Sequence, residues 1–268
     1  KGRGLRAADI RRRVGSDAFL FSTSDPPPLR YNLCLMGSAL VGTIVERLEA
    51  RYGVAEWKPR AEPLEELIHC ILSQHTSDAN SYRAYASLRR AFPSWQAVVE
   101  APTEAVAAVI RSGGLANQKA PRIQAVLKAI YAQHRAYDLN WLAERPLEEA
   151  RQFLLSLPGI GPKCAAIVLC FALGRPVIPV DTHVFRVAWR LGLIPKSLGE
   201  AKAHSVLEKR VPEPLVYRFH VALIRHGRAA CKAVRPRCAD CPLTDLCAFY
   251  LSQQAENLAS GDQVDNAQ

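Results

Sequence analysis

Apolar residues recur three and four positions apart along most of the chain, with little strict alternation, which marks amphipathic helices and not strands. That period predicts helices over residues 37–52, 63–73, 78–92, 94–100, 103–111 and 116–134. Beyond a loop containing Pro146 it predicts further helices over 147–155, 162–173, 182–191, 200–210 and 214–226. Gly53, Gly174, Gly192 and Gly227 stand where helix C-caps belong, and Pro162 and Pro214 suit first-turn positions. The pattern fades at both ends. Residues 1–34 read as a flexible, Pro-containing extension, and residues 252–268, polar and without period, read as a disordered tail. The expected fold class is all-α.

Composition narrows the picture. A chain of 268 residues with 49% apolar and 22% charged residues can bury the core of one or two globular domains. A formal charge of +10 favours a polyanionic partner, although basic proteins are common and charge alone does not decide. No apolar run approaches eighteen residues, so no membrane span or membrane partner is expected. The basic N-terminus lacks the apolar centre of an export signal, and a cytoplasmic protein is expected, nucleoid-associated if bacterial. Cys34, Cys70, Cys164 and Cys170 are scattered. The last three lie in apolar helical patterns and read as buried free thiols in a reducing compartment.

The remaining cysteines are different. Cys231, Cys238, Cys241 and Cys247 follow a C-x6-C-x2-C-x5-C spacing that can bring four thiolates to one inorganic centre, either an iron–sulfur cluster or a structural zinc. Lys232, Arg235 and Arg237 make the same loop basic. Upstream, Leu157-Pro158-Gly159-Ile160-Gly161 separates two amphipathic stretches. Its glycines permit a tight turn with positive φ around an anchored Ile160, and the backbone N–H groups opening the next helix can bind a phosphate without reading sequence. A plain helix–turn–helix corner would look the same.

Lys163 falls in the first turn of that next helix, where the dipole disfavours a cation and favours the neutral amine that nucleophilic or Schiff-base chemistry needs. A solvated surface lysine is the simpler reading of that residue alone. Asp181 precedes the 182–191 helix, so it suits an N-cap and equally a carboxylate at the mouth of a cleft facing Lys163.

Taken in order, LPGIGPKCA, VDTHVFRV, HGRAAC and the four-cysteine loop resemble the endonuclease III branch of the helix-hairpin-helix DNA glycosylases, over roughly residues 35–250. The resemblance implies a six-helix domain carrying the hairpin (63–175) and a second helical domain with a [4Fe–4S] cluster (35–62 and 176–251), with the active cleft between them. It implies Lys163 as catalytic lysine, Asp181 as catalytic aspartate, and Cys231, Cys238, Cys241 and Cys247 as cluster ligands.

The same resemblance implies a monomer that binds damaged double-stranded DNA. Gly159 and Gly161 would hold phosphate, with further contacts from Lys119, His183, Lys232, Arg235 and Arg237. Leu115 matches an apolar wedge, and the Gln74–His75 loop matches one whose glutamine fills the vacated stack. An ungapped alignment puts His75, not Gln74, on that glutamine, and Pro162 replaces a basic residue common before the lysine, which leaves opposite-base contacts open.

The implied activity is that of a DNA glycosylase and abasic-site lyase acting on oxidised pyrimidines. The rivals are a monofunctional mismatch glycosylase, which usually lacks the hairpin lysine, and a non-catalytic DNA-binding module built on the hairpin and the cluster.

Overall fold

The computed structural model describes residues 36–261, with side chains from 38 to 257. The expectations for residues 1–34, Cys34 among them, and for 262–268 lie outside the described residues. Twelve α-helices follow one another, and no strand occurs among the described residues. The first six are α1 (Met36–Tyr52), α2 (Pro63–Ser73), α3 (Asp78–Ala91), α4 (Trp95–Glu100), α5 (Thr103–Val109) and α6 (Ala116–His134). They are followed by α7 (Leu147–Ser156), α8 (Pro162–Ile167), α9 (Thr182–Arg190), α10 (Gly199–Arg210), α11 (Val216–Ala229) and α12 (Ala248–Gly261).

Local chemistry sets the boundaries. Pro63 opens α2, where its missing N–H costs no helical hydrogen bond. The Ser77 and Ser94 hydroxyls accept the N–H groups of Asn80 and Ala97 at 3.3 and 3.1 Å, capping α3 and α4. Gly53, Gly174 and Gly192 adopt φ of 85°, 64° and 76° just beyond helix ends. Gly227, expected as a C-cap, instead lies inside α11. A Cβ there would meet His183 Cβ at 3.0 Å, so this glycine lets α11 lie close against α9 while the helix runs on to Ala229.

Two apolar cores result. One joins α2–α8 through residues such as Leu67, Ile71, Leu88, Ile123 and Leu127. The other joins α1, α9, α10 and α11 through Ile44, Leu48, Val184, Leu207 and Phe219. Truncating the fully buried Phe219 to Ala is a change worth roughly 3–5 kcal/mol in such a core. The helix begun by α8 serves both cores: Cys164–Leu169 contribute to the first and Cys170 to the second. Residues Val168–Ala172 form a π-turn, so the predicted continuous helix over 162–173 is interrupted beside the junction of the cores.

Two further expectations are corrected. Residues 252–261 are helical and continue α12, because Phe249 anchors the helix against Trp189, with ring centroids 5.5 Å apart, and Gln253, Gln254, Ala255 and Glu256 are good helix formers needing no apolar period. Cys70 and Cys164 are not free thiols but a disulfide, with Cα atoms 5.9 Å apart, while Cys170 is free and buried. The periodicity of a single helix cannot show that α2 and α8 turn these side chains toward each other. No described helix is long and apolar enough to cross a membrane.

Candidate active site

A cavity of about 370 Å³ opens where the two cores meet. Glu66, His69, Cys70 and Ser73 reach it from α2, at the spacing of one helical face. Lys163, Ile167 and Phe171 reach it from α8 and the π-turn, and Pro179 and Asp181 from the segment entering α9. His220, Ile224, Arg225 and Arg228 complete it from α11, with Tyr82 of α3 and Arg60 of the irregular 54–62 strap. Lys163 and Asp181 therefore share one cavity although they lie on different helices.

Lys163 is exposed, next to the disulfide half Cys164. Asp181 is half-buried, and its Oδ1 accepts the Val184 N–H at 2.8 Å, so it caps α9 while lining the cavity. Behind it His220 is buried, with Nδ1 2.8 Å from the Pro179 carbonyl, to which it donates. Burial pushes the His220 imidazole down to about 4, the Asp181 carboxylate opposing that shift and Lys163 adding to it. His220 is thus neutral at physiological pH and does not cancel the charge of Asp181.

The hairpin joins α7 to α8. Gly159 has φ 71°, a left-handed backbone that favours glycine, and a Cβ there would stand 2.7 Å from Arg122 Nε, so a side chain would also displace that arginine. Gly161 corrects the expectation of two positive-φ glycines: its φ is −103°, it is the extended N-cap of α8, and nothing lies within 4 Å of its missing Cβ. Ile160 is buried as expected.

Two loops stand side by side near this turn. His75 and Leu115 both hold left-handed backbone, at φ 53° and 50°, and both side chains are exposed, Leu115 by 45%. Left-handed backbone at non-glycine residues is costly and gathers at functional sites. Gln74 turns inward, its Oε1 accepting from Arg122 at 2.9 Å, whereas His75 faces solvent.

Lys119 does not. It is 2% exposed, and its ammonium donates to the Leu72 carbonyl at 2.7 Å and the Gly113 carbonyl at 2.8 Å. Burial pushes its pKa down. The expected DNA contact at Lys119 is thus overturned: the residue staples the end of α2 to the turn before Leu115, satisfying carbonyls that two separate loop ends would leave bare.

The four clustered cysteines line a second, smaller cavity with Arg190 and His226. Arg190 donates to Cys231 Sγ at 3.2 Å, to the Lys232 carbonyl at 2.8 Å and to the Ala233 carbonyl at 3.1 Å, while its buried Nε has no partner. Burial raises the thiols of Cys238, Cys241 and Cys247, the last to about 11. Among the described residues no three His, Cys, Asp or Glu side chains converge closely enough to hold a single ion. The four thiols line one hollow, a donor set that suits an iron–sulfur cluster or a structural zinc. Lys232, Arg235 and Arg237 are exposed on this loop. His183 lies outside the cleft lining, held by Arg186 at 3.0 Å against α11.

Sequence reasoning missed Arg60, Glu66, His69, Tyr82, His220 and Arg190. One signal was available: Glu66, His69, Cys70 and Ser73 make a polar stripe on a helix otherwise apolar enough to be core.

The chain is similar to known proteins over most of this structure. Residues 68–213 match the family described as HhH-GPD superfamily base excision DNA repair protein. A putative DNA glycosylase of Arabidopsis thaliana is 35% identical over 70% of this chain and 66% of its own length. Endonuclease III of Escherichia coli is 35% identical over 70% of this chain and 85% of that protein. The structure of a trapped endonuclease III–DNA covalent intermediate superposes with a TM-score of 0.67 at 29% identity, covering 81% of this chain and 98% of that one.

Proposed function

The chain belongs to the HhH-GPD superfamily of base excision DNA repair proteins, as an endonuclease III-like DNA glycosylase, and we propose that it removes oxidised pyrimidines from damaged duplex DNA and then nicks the strand through a lysine Schiff base. The observation that carries this reading is the shared cavity of Lys163 and Asp181 between two cores.

A base in the stack is out of reach, so the nucleotide is first turned out into the cavity, at least cost for a damaged base. Leu115, exposed on left-handed backbone, wedges into the gap, and His75 faces the orphaned partner. The open space around Gly161 admits a phosphate against the N–H groups that start α8.

The Lys163 amine attacks C1′ as the glycosidic bond breaks; the base leaves with the bonding pair and takes up a proton. Asp181, whose Oδ1 is held by Val184, stabilises the positive charge developing on the sugar. The nitrogen sheds a proton and the sugar ring opens to a protonated Schiff base. Loss of a C2′ proton then forms the C2′–C3′ double bond and breaks C3′–O3′, releasing the phosphate. Water hydrolyses the imine and returns Lys163.

Cys231, Cys238, Cys241 and Cys247 would hold a [4Fe–4S] cluster, with Arg190 beside Cys231 compensating its negative charge. When bound, the cluster ties four points of the 231–247 loop to one rigid inorganic core, presenting Lys232, Arg235 and Arg237 to phosphates.

Duplexes carrying thymine glycol, dihydrouracil, a G:T mismatch or an abasic site, assayed separately for base release and for nicking, test the proposal. Release and nicking together on the oxidised pyrimidines are expected. Release without nicking would replace it with a monofunctional glycosylase, and salt-sensitive binding without turnover would leave a docking module.

A further inference from the structure

The strap between α1 and α2 is fixed by the π-turn. That turn ends the helix at Ala172, the last carbonyls of a helix have no partner within it, and here the strap takes two of them. Trp57 Nε1 donates to the Cys170 carbonyl at 2.8 Å, and the Arg60 N–H donates to the Phe171 carbonyl at 3.4 Å. Trp57 also lies against Gly174, where a Cβ would approach its ring to 3.0 Å. These contacts carry the Arg60 side chain into the cleft.

Once there, the guanidinium is immobilised on two sides. It lies over the Phe171 ring, 4.7 Å from the centroid, and its Nε–NH2 edge forms a fork with the Glu66 carboxylate, Nε to Oε2 being 2.9 Å. Glu66 is 1% exposed, whereas 43% of the Arg60 side chain is exposed. A planar guanidinium that spends one edge on a buried carboxylate turns its remaining NH1 edge away from it. The pair is neutral overall, so it offers fixed donors without adding net charge.

We propose that Arg60, held by Glu66, is the specificity-determining residue that donates to a carbonyl oxygen of the extruded base. This rests on the reading that the cleft receives such a base. The donor selects uncharged bases rich in carbonyl groups, the chemistry of oxidised or reduced uracil and thymine derivatives. Adenine offers no carbonyl. The paired rings of His69 and Tyr82, 4.5 Å apart at the cavity wall, give the base a face to lie on.

The full-length protein and its Arg60→Met variant are compared in two reactions: release of dihydrouracil from duplex DNA, and borohydride trapping on abasic DNA, which has no base to read. The ratio of release to trapping is expected to fall roughly 10- to 100-fold, the loss of a charge-assisted hydrogen bond. A ratio unchanged within threefold overturns the proposal. Should Arg60→Met fail to fold, Arg60→Lys keeps the charge beside Glu66 but breaks the fork, and the same fall in ratio is expected. If the unaltered protein neither releases dihydrouracil nor is trapped on abasic DNA, the underlying functional reading fails instead, and the two failures are told apart by that control.

Discussion

Lys163 stands between two cores whose buried side chains are almost all aliphatic, on a helix shared by both, whereas the four clustered cysteines sit in a loop of short 310 turns with every thiol only partly buried. The cleft is organised by burial and needs nothing beyond the chain. The cysteine loop buries one aliphatic side chain, Leu243, and is otherwise held by polar contacts from Arg190, from Arg186 to the Cys231 carbonyl at 2.9 Å, and from Arg47 to the Pro242 carbonyl and Asp245. A centre bound by four thiolates would add a tie that the cleft has no need of. With the proposed cluster bound, the difference would separate two kinds of vulnerability: side-chain substitution for the first, loss of an inorganic centre for the second.

The largest effect that sharpens this contrast is removal of one thiolate. Cys241→Ala is expected to abolish the visible chromophore of the iron-loaded protein and expose residues 231–247 to limited proteolysis, while far-UV circular dichroism keeps most of its helical signal. DNA affinity at moderate salt should fall at least about tenfold as the basic loop loses its frame. Equal loss of helix throughout would show that the cleft is no more self-sufficient than the loop.

Next in size is acid. His220 is neutral and buried with a folded pKa of about 4, while an unfolded histidine titrates near 6.5. Its folded value is depressed, so its contribution is complete above about pH 6.5 and is lost as pH falls toward 4, because the unfolded chain takes the proton first. Denaturant unfolding across that window should show His220→Gln recovering about 2–3 kcal/mol of the pH-dependent loss. A slope identical in variant and parent would contradict the burial argument.

The smallest effect concerns the polar staple in the apolar region. Lys119→Met leaves the Leu72 and Gly113 carbonyls without their donor, a loss partly offset by the apolar side chain, and should destabilise by about 2 kcal/mol. A surface lysine touching DNA would instead show unchanged stability and a weaker salt dependence of binding.

Where sequence was informative, the signal was local. α2, with Pro63 at its start, and α6, ending at His134, match the apolar period at both ends, and Lys163 and Asp181 could be singled out from the turn and cap chemistry around them. What escaped was decided by tertiary contact. Arg60 sits in a strap with no period, placed by two carbonyls at the end of a helix distant in sequence and by Glu66 and the Phe171 ring. Lys119 resembles any exposed lysine until two loop ends converge on it, and Cys70 meets Cys164 only when α2 packs on α8. Leu115 was legible as an apolar residue in a polar turn, but its left-handed backbone was not.

The central claim, that Lys163 is the nucleophile in a cleft shared with Asp181, is tested most directly by borohydride reduction of the protein on abasic duplex DNA followed by peptide mapping. The expected result is a single covalent sugar adduct on Lys163 and no capture of the Lys163→Ala variant. Capture of that variant at the level of the parent, or an adduct on another residue, would contradict the account.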